Sequence, residues 1–336
     1  MKSWIIDRYG DFGGLIPSDI ADPKPSENEV LIKVRAVSLN YRDLLTVRVE
    51  RPGNVPPPFV PCSDGAGEVV AVGAEVKQWK VGDRVAGIFF SDWVDGPFDL
   101  QYHKKALGGS AQGMLSEYVA LPEHAVVRIP DHLSMEEGAC LPCAAVTAWQ
   151  ALFTRGGLVA GRSVLALGTG GVSIFALQLA HAAGARVFIT SSSDAKLEHA
   201  RSLGAAETVN YKSTPEWDKE VWKLSGKRGV DHVVEVGGPG TLEKSMNSVA
   251  ANGQVALIGV LTGFGAAPSL FPLVVRNARI DGIYVGSRAD FEALNAFITA
   301  HQIKPIIDRS FSFEESRAAF EYMATGAHFG KVTIVV

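Results

Sequence analysis

The feature that most constrains the fold is a glycine-rich turn set between two apolar runs. The first run is SVLALG at 163–168, an unbroken apolar stretch typical of a strand buried on both faces of a parallel sheet. It is followed by the turn GTGG (168–171), a helical segment (174–183) and the apolar run ARVFIT (185–190). Strand, glycine turn, helix and strand in this order predict a βαβ unit.

The same alternation continues toward the C-terminus, whereas the N-terminal part has a different pattern. Further apolar runs next to glycines are VDHVVEVGG (230–238), GQVALIG (253–259) and RIDGIYVG (279–286). Before residue 131, runs such as NEVLIKVRAVSLN alternate apolar and polar residues, as half-buried strands do. We therefore predict an α/β protein with a β-rich domain at 1–130, rejoined by 300–336, and a doubly wound parallel sheet at 131–299.

The GTGG turn predicts a dinucleotide site. Gly168 and Gly170 match the first two glycines of the G-x-G-x-x-G pattern, which permit a tight turn and close approach of the backbone to a pyrophosphate. A helix that starts at Gly171 would direct its N–H groups and positive dipole end toward that pyrophosphate. Ser173 replaces the third glycine, which mainly serves helix–strand packing, so we expect this change to be tolerated. The alternative is a strand-turn-helix unit without a ligand.

The end of the second strand indicates which dinucleotide is bound. NAD sites usually hold the ribose 2′-hydroxyl with an acidic residue at this point, but here the sequence is TSSS (190–193). The hydroxyls of Ser191 and Ser192 and the ammonium group of Lys196 would accept a 2′-phosphate that a carboxylate repels, and Tyr211 could add a donor. We predict NADP(H) as the cofactor. The serines also suit the cap of the next helix, and the two roles are compatible.

The composition argues against several other classes of protein. A net charge of −4 argues against a nucleic-acid or anionic-membrane partner. The N-terminal sequence MKSWIIDRYG lacks the apolar run of a signal peptide, and polar residues and glycines interrupt the longest apolar region, 164–189. Three cysteines do not make a disulfide framework. We therefore expect a cytoplasmic protein.

Seven motifs spread over the chain extend this interpretation. They are SLNYRDL (38–44), PCSDGAGEVVAVGAEVKQWKVGDRV (61–85), GMLSEYVALPEHAVVRIP (113–130), CAAVTAWQAL (143–152), the GTGG turn, VGGPGTL (236–242) and HFGKVTIVV (328–336). Together they resemble the medium-chain dehydrogenase/reductase superfamily over nearly the whole chain, and specifically its zinc-free, quinone oxidoreductase-like branch. The resemblance implies a GroES-like catalytic domain and a Rossmann cofactor domain, with the active site in the cleft between them.

The zinc ligands of the alcohol dehydrogenases in this superfamily are largely replaced. The resemblance implies that their first cysteine corresponds to Asn40, their Gly-His-Glu to 62–64 and their last cysteine to Cys143. Catalytic zinc needs three protein ligands, so one cysteine does not suffice. The cysteines of a structural zinc lobe are also missing from 90–115. We expect no zinc, and we interpret the C-x-x-C formed by Cys140 and Cys143 as packing.

The resemblance implies an NADPH-dependent, zinc-independent reductase of quinones or α,β-unsaturated carbonyls. It places Asn40 near the nicotinamide ribose and the substrate, and Tyr41 beside it as a hydrogen-bond or proton donor or, equally, as a pocket wall. Lys331 is a weaker candidate for the phosphates or else a solvated lysine. A homodimer formed through the RIDGIYVG strand is expected. Further expected cofactor contacts are Thr147, Val172, Ile258, Gly259, Val285 and Gly330, and the expected substrate-pocket residues, which could equally pack the loops, are Phe59, Trp93, Leu261 and Phe264.

Two other functions stay open from the sequence. The first is an NAD(P)-dependent alcohol or ketone dehydrogenase, which works without zinc or with a zinc ion recruited through Cys143. The second is a protein that binds NADPH without catalysis. The intact GTGG turn and the cleft motifs favour an enzyme over the second alternative.

Overall fold

The computed structural model describes residues 1–50, 53–263, 265–266 and 268–336. The chain forms two compact units, one made of Met1–Val146 with Gly286–Val336 and the other of Thr147–Val285. No helix among the described residues combines the length and the apolar character that a membrane crossing requires.

The described residues form fifteen strands. In chain order they are β1 (Lys2–Ile6), β2 (Leu15–Asp19), β3 (Glu29–Ser38), β4 (Asp64–Val72), β5 (Arg84–Gly87), β6 (Tyr118–Pro122), β7 (Val126–Arg128), β8 (Ser163–Ala166), β9 (Arg186–Ser191), β10 (Glu207–Asn210), β11 (Val230–Glu235), β12 (Val249–Leu257), β13 (Arg279–Gly282), β14 (Ile307–Ser312) and β15 (Lys331–Val335).

The described residues also form ten α-helices, and two π-helical segments, Leu141–Ala145 and Gln150–Thr154, flank the third of them. The α-helices are α1 (Tyr41–Arg48), α2 (Met135–Ala139), α3 (Val146–Trp149), α4 (Gly171–Ala182), α5 (Asp194–Ser202), α6 (Trp217–Leu224), α7 (Leu242–Ser248), α8 (Phe271–Arg276), α9 (Arg288–Ala300) and α10 (Ser316–Ala324).

The first unit is built on a sheet with the strand order β14-β15-β3-β4-β5-β7, and β6 also pairs with β3. Val30, Ile32 and Val34 are fully buried and alternate with more exposed residues, which is the pattern that predicted β3. Ser38, the last residue of β3, lies opposite both Asp64 on β4 and Thr333 on β15. The end of β3 therefore meets the starts of β4 and β15.

The second unit is a six-stranded parallel sheet with the order β10-β9-β8-β11-β12-β13. Val164, Leu165 and Ala166 of β8 are fully buried, as the unbroken apolar run predicts. The chain passes from β8 to β9 and β10 on one side, then returns to β11 on the other side of β8. This reversal at β8 is the position where parallel α/β sheets bind ligands, and it confirms the predicted Rossmann-like sheet.

The unit boundaries differ from the sequence-based limits at 130 and 300. Helix α2 contacts β3, β4, β5 and β15, so the helical segment after 134 packs on the first unit although it is not β-rich. Helix α9 contacts β7 and also belongs to the first unit. Helical composition alone does not show on which sheet a helix packs.

Candidate active site

A group of polar side chains is buried where β3, β4 and β15 meet in the first unit. This polar cluster consists of Asn40, Asp43, Ser63, Asp64 and Lys331, and each of its members is at most 7% exposed. Buried polar and charged groups are costly unless they are paired and hydrogen-bonded, so the partners of each one matter.

Lys331 is the cation of the polar cluster. Its Nζ donates to the carbonyl oxygen of Leu39 at 2.7 Å and to Oδ1 of Asn40 at 2.6 Å. The interpretation of Lys331 as a solvated lysine is therefore wrong, because the residue is 3% exposed. Its ammonium group is bound to two oxygen atoms of the chain, and no phosphate is needed to explain its position.

Asp64 links the start of β4 to the π-helical segment that carries Cys143. Its Oδ1 accepts from the Ser63 hydroxyl at 2.6 Å, and its Oδ2 accepts from the backbone N–H of Cys143 at 3.0 Å. Burial raises the pKa of the Asp64 carboxyl, and the positive charge of Lys331 partly offsets the rise. Asp64 thus fixes the π-helical segment that carries Cys143 to the start of β4.

Asp43 fixes the backbone of Asn40. Its Oδ2 accepts from the Asn40 N–H at 2.8 Å, and its own N–H donates to the Asn40 carbonyl oxygen at 2.9 Å. Burial raises the pKa of Asp43 to about 6, and Arg42 opposes the rise. Helix α1 starts directly after Asn40, so this reciprocal pair sets the position of Asn40 at the helix N-terminus.

The side chain of Asn40 is satisfied on one atom only. Its Oδ1 accepts from Lys331, whereas its Nδ2 is buried and makes no hydrogen bond of normal geometry with any described residue. The amide lies near Asp64 and lowers the pKa of that carboxyl. A buried N–H donor without a well-aligned acceptor is costly, so Nδ2 is a candidate ligand contact. Tyr41, the first residue of α1, is partly exposed beside it.

The donor atoms around Asn40 do not match a zinc site. Among the described residues there is no group of three histidine, cysteine, aspartate or glutamate side chains placed to hold a metal. The ammonium group of Lys331 donates to Asn40, the residue at the expected position of the first zinc ligand. A zinc ion bound there would be repelled by this positive charge. Burial raises the pKa of all three thiols, that of Cys140 to about 12.

The GTGG turn of the second unit has the geometry that a pyrophosphate requires. Gly168 has φ +71°, in the left-handed region that glycine adopts at no cost. A Cβ atom added at Gly168 or Gly170 would meet no atom of the chain within 4 Å. Helix α4 begins at Gly171 without a capping side chain on Gly170, so its first N–H groups are available to an anion. These residues fit a dinucleotide.

Ser173 has a different role from the glycine it replaces. Its Oγ donates to the carbonyl oxygen of Leu167 at 2.6 Å and ties the first turn of α4 to the end of β8. Gly168 N–H donates to Oγ1 of Thr190 at 3.2 Å, which links the turn to β9. The turn is therefore held by two hydroxyl groups that the motif does not include.

The serines at the end of β9 lie beside Tyr211. Tyr211 N–H donates to the Ser191 carbonyl oxygen at 3.0 Å, and the tyrosine is 39% exposed. Ser191 Oγ accepts from Ser193 N–H, and Ser193 Oγ accepts from Lys196 N–H, so Ser193 caps α5 as the alternative interpretation expected. The nearest following acid, Asp194, accepts from the Asn210 side chain at 2.7 Å.

The remaining predicted cofactor residues are distributed over both units. In the second unit, Thr147 is buried, Val172 lies in the first turn of α4, and Val285 has φ +59°. Ile258 and Gly259 donate through their N–H groups to the Glu235 carbonyl oxygen at 2.8 and 3.3 Å. Gly330 belongs to the first unit and has φ +78°, and a Cβ atom there would lie 2.4 Å from the Ile306 carbonyl oxygen.

Glu235 is a buried carboxylate whose role was not predicted. Its Oε1 accepts from the N–H groups of Gly237 and Gly238 and from the Thr241 hydroxyl, and its Oε2 accepts from the Ser245 hydroxyl. It thereby fixes the loop that carries the VGGPGTL motif. The sequence signal was an acidic residue at the end of an apolar strand just before two glycines.

The predicted substrate-pocket residues have different environments. Phe59 and Trp93 are 1% and 3% exposed. The Trp93 ring packs on Phe98 at 4.9 Å between ring centroids, and its Nε1 donates to the Gly96 carbonyl oxygen. Leu261 is 49% exposed, and Phe264 lies outside the described residues. The structure shows packing for the two aromatic residues, and their pocket role stays a prediction.

Comparisons with known proteins agree with both units. Residues 26–131 match the alcohol dehydrogenase GroES-like domain, and residues 171–300 match a family described as zinc-binding dehydrogenase. The second match does not include positions 40, 62–64 or 143, where the zinc ligands would lie, and so does not bear on the metal.

Individual relatives cover nearly the whole chain. A zinc-type alcohol dehydrogenase-like protein of Schizosaccharomyces pombe is 45% identical over 99% of this chain and 98% of its own. The NADPH-dependent alkenal/one oxidoreductase of Arabidopsis thaliana chloroplasts is 32% identical over 99% and 79%. The solved structure of an NAD-dependent alcohol dehydrogenase is 31% identical over 100% of both chains, with a TM-score of 0.91. The chain is therefore an oxidoreductase that belongs to the medium-chain dehydrogenase/reductase superfamily.

Proposed function

We propose that this protein is a zinc-independent, NADPH-dependent reductase of quinones or α,β-unsaturated carbonyls. The observation that carries the proposal is the contact between the Lys331 ammonium group and Asn40 Oδ1. A zinc ion stabilises the alkoxide in alcohol–aldehyde interconversion. Conjugated acceptors need less of this help, because the charge that develops after hydride addition spreads over an enolate or a quinol.

The residues of the polar cluster suit this chemistry. Bound NADPH would supply the hydride. The buried Nδ2 of Asn40 offers one hydrogen bond to an oxygen that gains negative charge, and Lys331 places a positive charge against the same amide. Preorganised donors of this type stabilise charge that develops in the transition state. Tyr41 is the candidate proton donor, with a purely shaping role as its alternative.

NADP(H) is the proposed cofactor because of the residues near the end of β9. GTGG would hold the pyrophosphate, and Ser191, Ser192, Lys196 and Tyr211 would hold the 2′-phosphate. Asp194 is the acidic residue closest in sequence to these serines, and its carboxylate accepts a hydrogen bond from the Asn210 side chain. The dependence on NADPH of the related alkenal/one oxidoreductase supports the same choice.

The second candidate is an alcohol or ketone dehydrogenase. The names of the 45% identical relative and of the solved structure favour it. In that case a simple ketone would be reduced faster than a conjugated acceptor.

An acceptor panel distinguishes the two candidates. The initial rate of NADPH oxidation is measured with one p-quinone, one enone and one simple saturated ketone at equal concentrations. The proposal expects turnover with the quinone or the enone and little with the ketone. Turnover of the ketone alone would contradict it, and a parallel series with NADH tests the cofactor.

A homodimer is proposed as the assembly, in the cytoplasm. Strand β13 is the last strand of the parallel sheet, so one of its edges is open in the described part of the chain. Next to it in sequence, α8 exposes Phe271, Val274 and Val275, each by at least 66%. An open strand edge beside exposed apolar side chains is typical of a surface that a second copy covers.

A further inference from the structure

One hydrogen-bond donor in the polar cluster has no well-aligned partner, although it lies near the Asp64 carboxyl. Asn40 is 7% exposed, and its Nδ2 makes no hydrogen bond of normal geometry with any described residue. An amide buried in this way loses its hydrogen bonds to water, and a poorly aligned approach to the Asp64 carboxyl does not fully replace them. The resulting energetic cost is typical of groups that await a ligand.

The orientation of this amide is fixed from the other side. Lys331 Nζ donates to Oδ1 of Asn40 at 2.6 Å, and a flipped amide would place its NH₂ group against the ammonium group. The same Nζ also donates to the Leu39 carbonyl oxygen, so the lysine head is bound to the residue before Asn40 as well. Asp43 holds the Asn40 backbone N–H at 2.8 Å. Both the backbone and the amide plane of Asn40 are therefore held in place.

We propose that Lys331 is a positioning residue, which fixes the amide of Asn40 so that Nδ2 donates to an acceptor oxygen of the bound cofactor or of the substrate. The shared chemistry is an oxygen that accepts one N–H bond, whether it is a hydroxyl or carboxamide oxygen of the nucleotide or the carbonyl oxygen of the acceptor. The two cases are called the cofactor arm, measured as NADPH binding, and the substrate arm, measured as kcat/KM. Only the substrate arm rests on the proposed function, because NADPH binding can be measured without turnover.

The test is a double-mutant cycle. Lys331→Met removes the donor and keeps the length of the side chain, Asn40→Ala removes the amide, and the third protein carries both changes. For each protein the dissociation constant of NADPH is measured by fluorescence titration, and kcat and KM are measured with the best acceptor of the panel. Thermal unfolding is recorded for all of them, so that loss of folded protein is not taken for loss of function.

If Lys331 acts through Asn40, then substituting Lys331 has no further effect in a protein that already lacks the Asn40 side chain. We expect each single change to weaken one of the two arms about tenfold, the size of one properly oriented hydrogen bond, and the double variant to be no weaker than Asn40→Ala. An effect on NADPH binding assigns the acceptor oxygen to the cofactor. An effect on kcat/KM alone assigns it to the substrate.

Two results would overturn the proposal. The first is a pair of independent effects that multiply in the double variant. The second is a Lys331→Met protein with unchanged NADPH binding and unchanged kcat/KM, whether or not its thermal stability changes. If Lys331→Met does not fold, Lys331→Gln replaces it in the same cycle, because glutamine keeps a polar head of similar length.

The matched control is Thr333→Val, a buried polar residue two positions further along β15 that bonds to the Ser310 hydroxyl. We expect both arms to stay unchanged in this variant. If the wild-type protein reduces none of the acceptors, the proposed function fails, whereas the cycle on NADPH binding still decides the role of Lys331.

Discussion

At the scale of single residues, the polar cluster shows how an acidic group can be used for positioning. Asp43 holds the Asn40 N–H and Asp64 holds the Cys143 N–H, and both carboxyls are fully buried. Burial raises both pKa values, so folding penalises the ionised form of each carboxyl. The cost has a measurable consequence for stability.

Asp43→Asn is predicted to change how stability depends on pH. The pKa of Asp43 rises from an ordinary 3.8 to about 6 on folding, so the folded state binds the proton more tightly than the unfolded state. Ionisation of this group therefore lowers the free energy of unfolding as pH rises from about 4 to about 6, by about 2–3 kcal/mol. Arg42, Asp64 and Lys331 are the charged groups that act on it.

The measurement is urea unfolding at pH 4, 5, 6 and 7. Between pH 4 and 6 the stability of the variant is expected to rise relative to that of the wild type, because Asp64 and the other carboxyls titrate in both proteins and only Asp43 differs. Asp83→Asn is the matched comparison. Burial opposes ionisation of Asp83 too, but the hydrogen bonds from Lys80 N–H and Arg128 outweigh it, so the pKa of Asp83 is lowered. The Asp83→Asn variant is therefore expected to lose stability at neutral pH. Equal slopes in the wild type and Asp43→Asn would contradict the account.

Ser192→Asp is predicted to reverse the cofactor preference. A carboxylate at the end of β9 repels a 2′-phosphate but accepts a hydrogen bond from a 2′-hydroxyl. We expect the dissociation constant of NADPH to rise at least tenfold and that of NADH to change far less, measured by fluorescence titration. Ser202→Asp, at the other end of α5, adds the same charge as a control. Equal loss of both cofactors would argue against a 2′-phosphate site here.

At the scale of elements, the GTGG turn combines an open space with an ordered backbone. Gly170 has an ordinary φ of −81°, and no chain atom lies within 4 Å of an added Cβ atom. A side chain at position 170 would therefore occupy the space proposed for the pyrophosphate without contacting the rest of the chain.

Gly170→Val is accordingly predicted to separate folding from binding. The thermal midpoint should fall by only a few degrees, about the size of losing a glycine N-cap, because no chain atom lies within 4 Å of the added Cβ atom. The dissociation constant of NADPH should rise at least tenfold. Gly282→Ala is the control, since its Cβ atom is also unobstructed but lies on β13. Unchanged NADPH binding by Gly170→Val would remove the turn from the cofactor site.

Local patterns predict some elements well and cannot predict others. The βαβ unit around GTGG follows from neighbours in sequence, and the fully buried β8 follows from an unbroken apolar run. The partner of Lys331 does not, because Asn40 lies 291 positions away and the two meet only through the pairing of β15 with β3. For the same reason α2 packs on the first unit against expectation, since its own residues do not record the sheet that it contacts.

At the scale of the whole molecule, the apolar surface at β13 and α8 is the feature that bears on assembly. Val275→Glu places a charge on this surface, where Val275 is 67% exposed and substitution should not disturb the monomer fold. We expect the wild type to have the mass of a dimer by light scattering and the variant to shift toward a monomer. Val159→Glu, at a 57% exposed position in another part of the second unit, should leave the mass unchanged. A monomeric wild type would contradict the dimer.

We propose that the polar cluster around Lys331 supports hydride transfer without a metal. Bound zinc is measured by elemental analysis before and after prolonged dialysis against a chelator, together with the rate of reduction of the best conjugated acceptor. We expect far less than one zinc per chain and an unchanged rate after dialysis. Stoichiometric zinc, with activity lost on its removal and regained when it is restored, would rule out metal-free hydride transfer and return Cys143 to the role of a metal ligand.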